Sequence, residues 1–413
     1  MTQQPLVSVV VVSHERPRAL RRCLLSILQQ YHRPLEVVVV ADSAACRFVE
    51  PLAAEAGIVL LPFDEAKISE ARNRGIAAAH GAFIAFIDDD SAAEPIWVQE
   101  LLRGFDLPGV QAVGGYVLGR NGISYQWTAR AVAPDGGEMA LAQPSREPFV
   151  AHPPEGWAAK TQGTNCAFRS EALLGVGGFD PAFRYFNDET DLNLRMARAG
   201  MLAAFAPGAL VHHGYFANRT RRADRAPRDL FEIGRSQAIL LRKHLPQPGI
   251  DQALGSFVAG QRKRLIAHMV SGALAPHDVG RLLSGLSRGI DEGLRIALAP
   301  RNGLPAAPGQ PVLLATPPPR RAIALAGHWS QRAGLEARAA AARQAGDVVT
   351  LFRFSAIPLR HHATFRDDGV WLQTGGIFGK SQREVGMPAT WRIKRRAALE
   401  KERIRRQRWP EKE

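Results

Sequence analysis

Cysteine is scarce in this chain, 3 in 413 residues. Cys23, Cys46 and Cys166 are isolated, odd in number and without metal-type spacing, which argues against a disulfide framework or a zinc knot and fits a reducing cytosol. Long apolar runs are missing as well. No stretch approaches the roughly 18 residues of a membrane span, and the apolar residues 7–12 lack the basic flank of a signal peptide. The chain is therefore expected to be cytoplasmic, neither exported nor membrane-spanning. It also lacks internal repeats, and it lacks the aromatic-interleaved basic motif that would point to nucleic acid. No Gly-rich loop with a basic residue occurs near the start, which counts against a nucleotidyltransferase.

What is present is ordinary globular composition, 46% hydrophobic and 22% charged, over a length that implies about two or three domains. The net charge of +14 is unevenly spread: residues 1–200 hold 18 Lys/Arg against 23 Asp/Glu, and residues 201–413 hold 35 against 16. Such asymmetry separates a site-bearing half from one that meets an anionic surface. Its focus is the final stretch with Arg392, Lys394, Arg395, Arg396, Lys401, Arg403, Arg405, Arg406 and Arg408, flanked by Trp391 and Trp409.

Residues 7–100 alternate strand and helix patterns: strands at 7–12, 35–40, 58–62 and 82–87, helices at 18–30, 49–57 and 69–80. The strands are near-continuous Val, Ile, Leu and Phe, the mark of a parallel sheet covered on both faces, with function expected at the carboxyl ends of its strands. A less regular region follows to about 215, with a helix near 188–199. Helices broken at Pro246, Pro248 and Pro276 fill 226–298, and the proline-rich stretch 299–320 reads as a linker. Residues 321–413 read as a small α/β unit ending in a basic helix; Gly327-His328-Trp329, His361-His362 and Thr374-Gly375-Gly376 there have no spacing that forces a chemical role.

The strand at 82–87 ends in Asp88, Asp89 and Asp90. Like charges crowded at the end of a buried strand are unfavourable unless a cation relieves them, and this spacing lets two carboxylates reach one Mg²⁺ or Mn²⁺ together with phosphate oxygens. Ser13 to Arg16 lie at the end of the first strand, ahead of a helix amino terminus that favours an anionic ligand. Asp42, after the second strand, either accepts from a base or ribose or caps the next helix. Arg72 and Arg74 lie on the helix that packs beside the aspartate strand, where a guanidinium can meet a phosphate.

These segments, taken in order as strand-Ser13, strand-Asp42, Ala71-Arg72-Asn73-Arg74-Gly75 and Phe86-Ile87-Asp88-Asp89-Asp90, resemble the family 2 glycosyltransferases. The resemblance continues through Gly163-Thr164-Asn165, Gly177-Gly178-Phe179-Asp180, Asp188-Glu189-Thr190-Asp191-Leu192 and Val211-His212-His213, covering about residues 5–220. It implies a GT-A fold, Rossmann-like with a mostly parallel sheet, over 1–225. It also implies a nucleotide-diphosphate-sugar donor and an inverting, metal-dependent transfer to a hydroxyl acceptor in surface or lipid-linked glycan synthesis. By the family pattern Asp88 and Asp90 form the Asp-X-Asp metal motif, joined by His212 or His213. Ser13, Glu15, Asp42, Arg72, Asp88 and Asp89 fall in the nucleotide-sugar site, and Gly163, Asn165 and Asp191 on the acceptor and donor-sugar loops.

Inversion needs a base for the attacking hydroxyl. Relatives read Glu-Asp-X-Asp-Leu where this chain has Asp188-Glu189-Thr190-Asp191-Leu192, which puts Glu189 at the base position with Asp188 as second candidate. The chain also departs from the Asp-Asp-Gly-Ser that many relatives carry after the second strand, having Ala41-Asp42-Ser43-Ala44. A processive polymer synthase is not expected, since no Gln-X-X-Arg-Trp motif occurs. The alternative is a non-catalytic nucleotide-sugar or glycan binding protein docked on membrane. In either case the basic tail is a candidate for peripheral contact with anionic lipid at the inner face of the cytoplasmic membrane.

Overall fold

The computed structural model describes residues 4–143, 146–216, 220–379, 381 and 392–409. Strands β1 (Val7–Ser13), β2 (Leu35–Ala41), β3 (Val59–Pro62) and β4 (Phe83–Asp88) alternate with helices α1 (Pro17–Ile27), α2 (Ser43–Ala56) and α3 (Ile68–Ala77). The strands lie parallel in the order β3-β2-β1-β4. Their unbroken apolar runs are explained by cover on both faces: Val9, Val11, Val37 and Val39 pack into one core, Val10, Val38 and Phe86 into another. Helix α2 starts earlier than the pattern suggested. Asp42 caps it, accepting from Ala45 N at 2.9 Å, and the cap starts the helix at Ser43, ahead of Ala44 and Ala45, which favour helix.

Beyond the aspartates come β5 (Ser91–Ala93), α4 (Trp97–Phe105) and β6 (Val110–Leu118). The sheet continues from β4 through Asn165–Arg169, antiparallel to both neighbours, to β6 and then Leu202–His213, parallel to β6. β5 folds back to pair with the end of Leu202–His213, placing Ala92 opposite His212 and Ser91 opposite His213. This mixed α/β architecture with a mostly parallel central sheet is the one the motifs implied.

Three helices follow, Phe231–His244, Gln247–Val270 and Pro276–Arg295. Pro248 and Pro276 sit in first turns, where a missing N–H leaves no bond unmade. The first and third helices touch backbone to backbone, because a Cβ on Gly289 would stand 2.0 Å from the carbonyl oxygen of Phe231. The first of them also supports the loop before Asp188: Ser236 Oγ donates to the Tyr185 carbonyl at 2.7 Å and Arg235 to that of Ala182 at 2.6 Å.

The proline-rich stretch connects these helices to the last unit, and it runs docked along the first. Leu304 N donates to Leu174 O, Leu314 N to Leu35 O and Ala315 N to Ala56 O, at 2.8–2.9 Å. The last unit is a four-stranded sheet of Ala322–His328, Val348–Ser355, Trp371–Gly376 and His362–Phe365, with the helix Arg332–Gln344. It packs on the back of β5: Val348, Phe365 and Trp371 join Ala92 in one buried cluster. Gln29 ties the two sides, accepting from Trp371 Nε1 at 3.2 Å and donating to Gly369 O at 2.7 Å.

The basic stretch forms the helices Ile393–Arg403 and Arg405–Arg408, with Arg396 and Arg408 buried and Lys394, Arg395, Lys401, Arg405 and Arg406 exposed. Trp391 lies outside the described residues. Among those described, no helix is long and apolar enough to cross a membrane.

Candidate active site

The carboxyl ends of β1, β2 and β4 bring the first group of residues together. Asp89 is fully buried and turned inward, accepting from Ser13 Oγ at 2.7 Å and ion-paired with Arg16 at 2.6 Å. Burial pushes its carboxyl up to about 7 in spite of Arg16. Asp42 uses its second oxygen to accept from the Glu15 backbone N–H at 2.7 Å, which holds the β1–α1 loop with Glu15 at a positive φ of 59°. Asp42 thus caps a helix and clips two loops at once, while the Glu15 side chain stays exposed.

Asp88, Asp90 and His213 form a second group, in which one ligand atom from each lies within 4.8 Å of the others. His213 Nε2 is 3.1 Å from Asp90 Oδ1, and its Nδ1 donates to Gln126 Oε1 at 3.0 Å. That outer bond fixes the ring and leaves Nε2 facing the carboxylates, as in metal sites with an oriented imidazole. The other Asp90 oxygen accepts from Phe216 N at 2.9 Å and lies 3.3 Å from Arg16. Burial alone would raise the Asp90 pKa, but His213, Arg16 and the Phe216 N–H outweigh it and hold it below the usual carboxylate range. Two carboxylates and one imidazole converging on a point are a donor set that fits a divalent cation.

His212 points the other way. Successive strand residues face opposite sides, and His212 Nε2 bonds Glu94 Oε1 at 2.7 Å, away from the Asp88-Asp90-His213 group.

Arg72 joins this group to the next. Its buried guanidinium pairs with Asp188 and lies 3.5 Å from Asp88. The backbone of Gly163 lies against it: a Cβ there would come 2.2 Å from Arg72 Nη2. The neighbouring Thr164 hydroxyl donates to Asp88. Asp188 and Glu189 open the helix Asp188–Arg198, and Phe186 and Asn187, both with positive φ of 70° and 65°, turn the chain so that the two acids enter the site.

Burial, with Glu189 beside it, pushes Asp188 up to about 8. Burial would also raise Glu189, but Lys160, the hydrogen bond from Asp188 and Arg72 prevail and lower it. The two neighbouring acids are thus pushed apart, Asp188 toward its protonated form and Glu189 toward its ionised form.

Two predicted residues serve the framework in this structure. Asn165 is buried in the sheet, accepting from Trp97 Nε1 at 2.7 Å and donating to Tyr116 O and Ala209 O at 2.9 and 2.8 Å. Asp191 is fully buried and bonded by Lys243, Arg195 and His244 at 2.6, 2.8 and 2.9 Å. Conversely, Arg16, Gln126 and Lys160 belong to the site without a motif of their own. Arg16 had a weak signal in sharing the strand-end turn with Ser13. Gln126 and Lys160 lie in the irregular region, where only the fold shows which way a side chain points.

Fold and site together define an α/β protein with an acidic cation-type centre at the carboxyl edge of a mostly parallel sheet. The chain belongs to the glycosyltransferase-like family 2, whose family model matches residues 4–231. It is 33% identical over 183 residues to the glucosyl-dolichyl phosphate glucuronosyltransferase of Haloferax volcanii, covering 42% of this chain and 56% of that protein. It is 29% identical over 243 residues to the pre-mycofactocin glycosyltransferase of Mycobacterium tuberculosis, covering 57% and 48%. The chain thus spans about half the length of these relatives. Among solved structures it is similar to GalNAc-T7 with UDP, GalNAc and Mn²⁺, at a TM-score of 0.45 and 15% identity over 59% of this chain and 48% of that one.

Proposed function

We propose that the protein is an inverting, metal-dependent glycosyltransferase that moves a sugar from a nucleotide-diphosphate sugar to an acceptor hydroxyl. The observation that carries this reading is Arg72, whose one guanidinium touches both Asp88 and Asp188 and so makes the aspartate edge and the base helix two walls of one site. Asp88, Asp90 and His213 would hold a divalent cation, Mn²⁺ or Mg²⁺. Such a cation, when bound, would supply charge neutralisation for a diphosphate leaving group.

Glu189 is the base. It takes the proton of the acceptor hydroxyl as that oxygen bonds to the anomeric carbon and the bond to the diphosphate breaks. Asp188 keeps its own proton, donates to Glu189 and orients it. Arg16 and Ser13, held through Asp89, line the nucleotide end, with Asp42 fixing the Glu15 turn. The glucosyl-dolichyl phosphate in one relative's name supports a lipid-linked or surface-glycan acceptor, reached at the cytoplasmic membrane face with the basic tail against anionic lipid.

Turnover of UDP- and GDP-sugars with Mn²⁺ or Mg²⁺ tests the reading. Asp90→Ala is expected to abolish cation-dependent turnover; retained turnover would sink the metal assignment. Glu189→Gln is expected to lower transfer about 10²–10⁴-fold while leaving donor binding intact. Transfer that persists in Glu189→Gln and disappears in Asp188→Asn would move the base to Asp188.

A further inference from the structure

Arg408, near the end of the chain, leaves its own unit to pair with a residue beside the aspartates. Its Nε and Nη2 donate to the two oxygens of Glu94 at 2.7 and 2.8 Å, and its Nη1 donates to Thr350 Oγ1 at 3.0 Å. The guanidinium also lies 4.2 Å over the Trp371 ring. Both members are buried, Arg408 at 1% exposure and Glu94 at 0%. Glu94 follows β5 directly, and its Oε1 accepts as well from His212 Nε2 at 2.7 Å. In the β5 ladder, His212 faces Ala92 and His213 faces Ser91.

Strand β5, which begins just after Asp90, and the strand that ends in His213 are therefore held together by Glu94 and His212, and the C-terminal guanidinium closes that staple from behind. A bidentate Arg–carboxylate pair constrains direction as well as distance. A buried carboxylate deprived of its cation is strongly unfavourable where it lies. Without Arg408, Glu94 would keep one partner and would have to turn toward water, drawing His212 with it. The next residue along is His213, whose ring must stay within reach of Asp90.

We infer that Arg408 is a positioning residue for the cation centre, so that the C-terminal unit completes the back of the Asp88-Asp90-His213 site. This rests on that group being a cation site, and the experiment separates the two ideas. Full-length protein is titrated with Mn²⁺ by calorimetry, alone and with UDP or GDP present, alongside Asp90→Ala, Arg408→Gln, Arg408→Lys and Gln29→Ala. Gln29→Ala loosens the same interface through Trp371 and Gly369 without touching Glu94.

Binding by the wild type and its loss in Asp90→Ala establish the site; no binding by the wild type removes the cation reading itself. Arg408→Gln is then expected to weaken Mn²⁺ at least tenfold. Arg408→Lys should recover part of that loss, and Gln29→Ala should stay within twofold of wild type even if it melts earlier. Wild-type affinity in Arg408→Gln overturns the inference, and so does an equal loss in Gln29→Ala. If Arg408→Gln does not fold, Arg408→Lys decides: weakened Mn²⁺ with a wild-type melting profile supports the positioning role, and unchanged affinity refutes it.

Discussion

At the scale of single residues, the site is governed by pairs whose members are unequal. Asp188 and Glu189 are adjacent acids on one helix turn, and burial with Glu189 as neighbour pushes Asp188 up to about 8 while Glu189 is lowered. The sign of the pH effect follows. Below about 8 Asp188 is a donor to the Glu189 carboxylate, and above it two anions face each other, so the transfer rate should fall as pH rises through that value. Asp188→Asn mimics the protonated form. It is expected to stay within about tenfold of the wild-type rate at pH 7 and to lose the alkaline fall, which a pH profile of kcat for both proteins checks. The helix start crowded with carboxylates was legible as a local pattern, and the resemblance to family 2 singled out Glu189 and Asp188 within it. Their division of labour was not, since Lys160 and Arg72 arrive from other elements.

At the scale of elements, the loop ahead of that helix carries the aim of the site. Phe186 and Asn187 occupy left-handed backbone, and Asn187 is tied at 2.9 Å to Gln237, which in turn bonds Asp135 O at 2.8 Å. Asparagine tolerates this conformation and a β-branched residue does not. Asn187→Val should cost about 1–3 kcal/mol and misdirect Asp188 and Glu189, lowering both the melting temperature and kcat. Asn187→Gly, free to adopt the same φ but without the bond to Gln237, should recover part of that loss in melting temperature. Thermal melts and steady-state rates measure both. The helices of the extension were visible as patterns punctuated by proline, but nothing in their own sequence showed that Arg235, Ser236 and Gln237 would brace the loops around Asp188.

At the scale of the whole molecule, the charge of the basic C-terminal end falls into a buried and an exposed set. Arg396 and Arg408 are buried in ion pairs, whereas Lys394, Arg395 and Arg405 face water. Each exposed cation near an anionic bilayer contributes about 1 kcal/mol. The triple change of Lys394, Arg395 and Arg405 to Ala should therefore lower partitioning onto phosphatidylserine vesicles by roughly 100-fold. Unchanged sedimentation with vesicles would remove the lipid contact. Because these three side chains lie outside the Arg408 pair, sugar transfer to a soluble acceptor should be preserved.

The sequence by itself determined the parallel strands, the place where they end in Asp88, Asp89 and Asp90, and the acids at Asp188 and Glu189. These are local patterns: hydrophobic periodicity reports cover on both faces of a strand, and clustered charge reports a strand's exit from the core. Only the tertiary structure decided that Asp89 turns inward to Ser13 and Arg16, that His213 rather than His212 meets Asp90, and that Arg72 bridges both walls. It also decided that the proline-rich stretch is docked and that Arg408 reaches Glu94 across 314 residues. Such pairings follow from strand register and from the cost of burying a charge unpaired, and neither is written in the spacing of neighbouring residues.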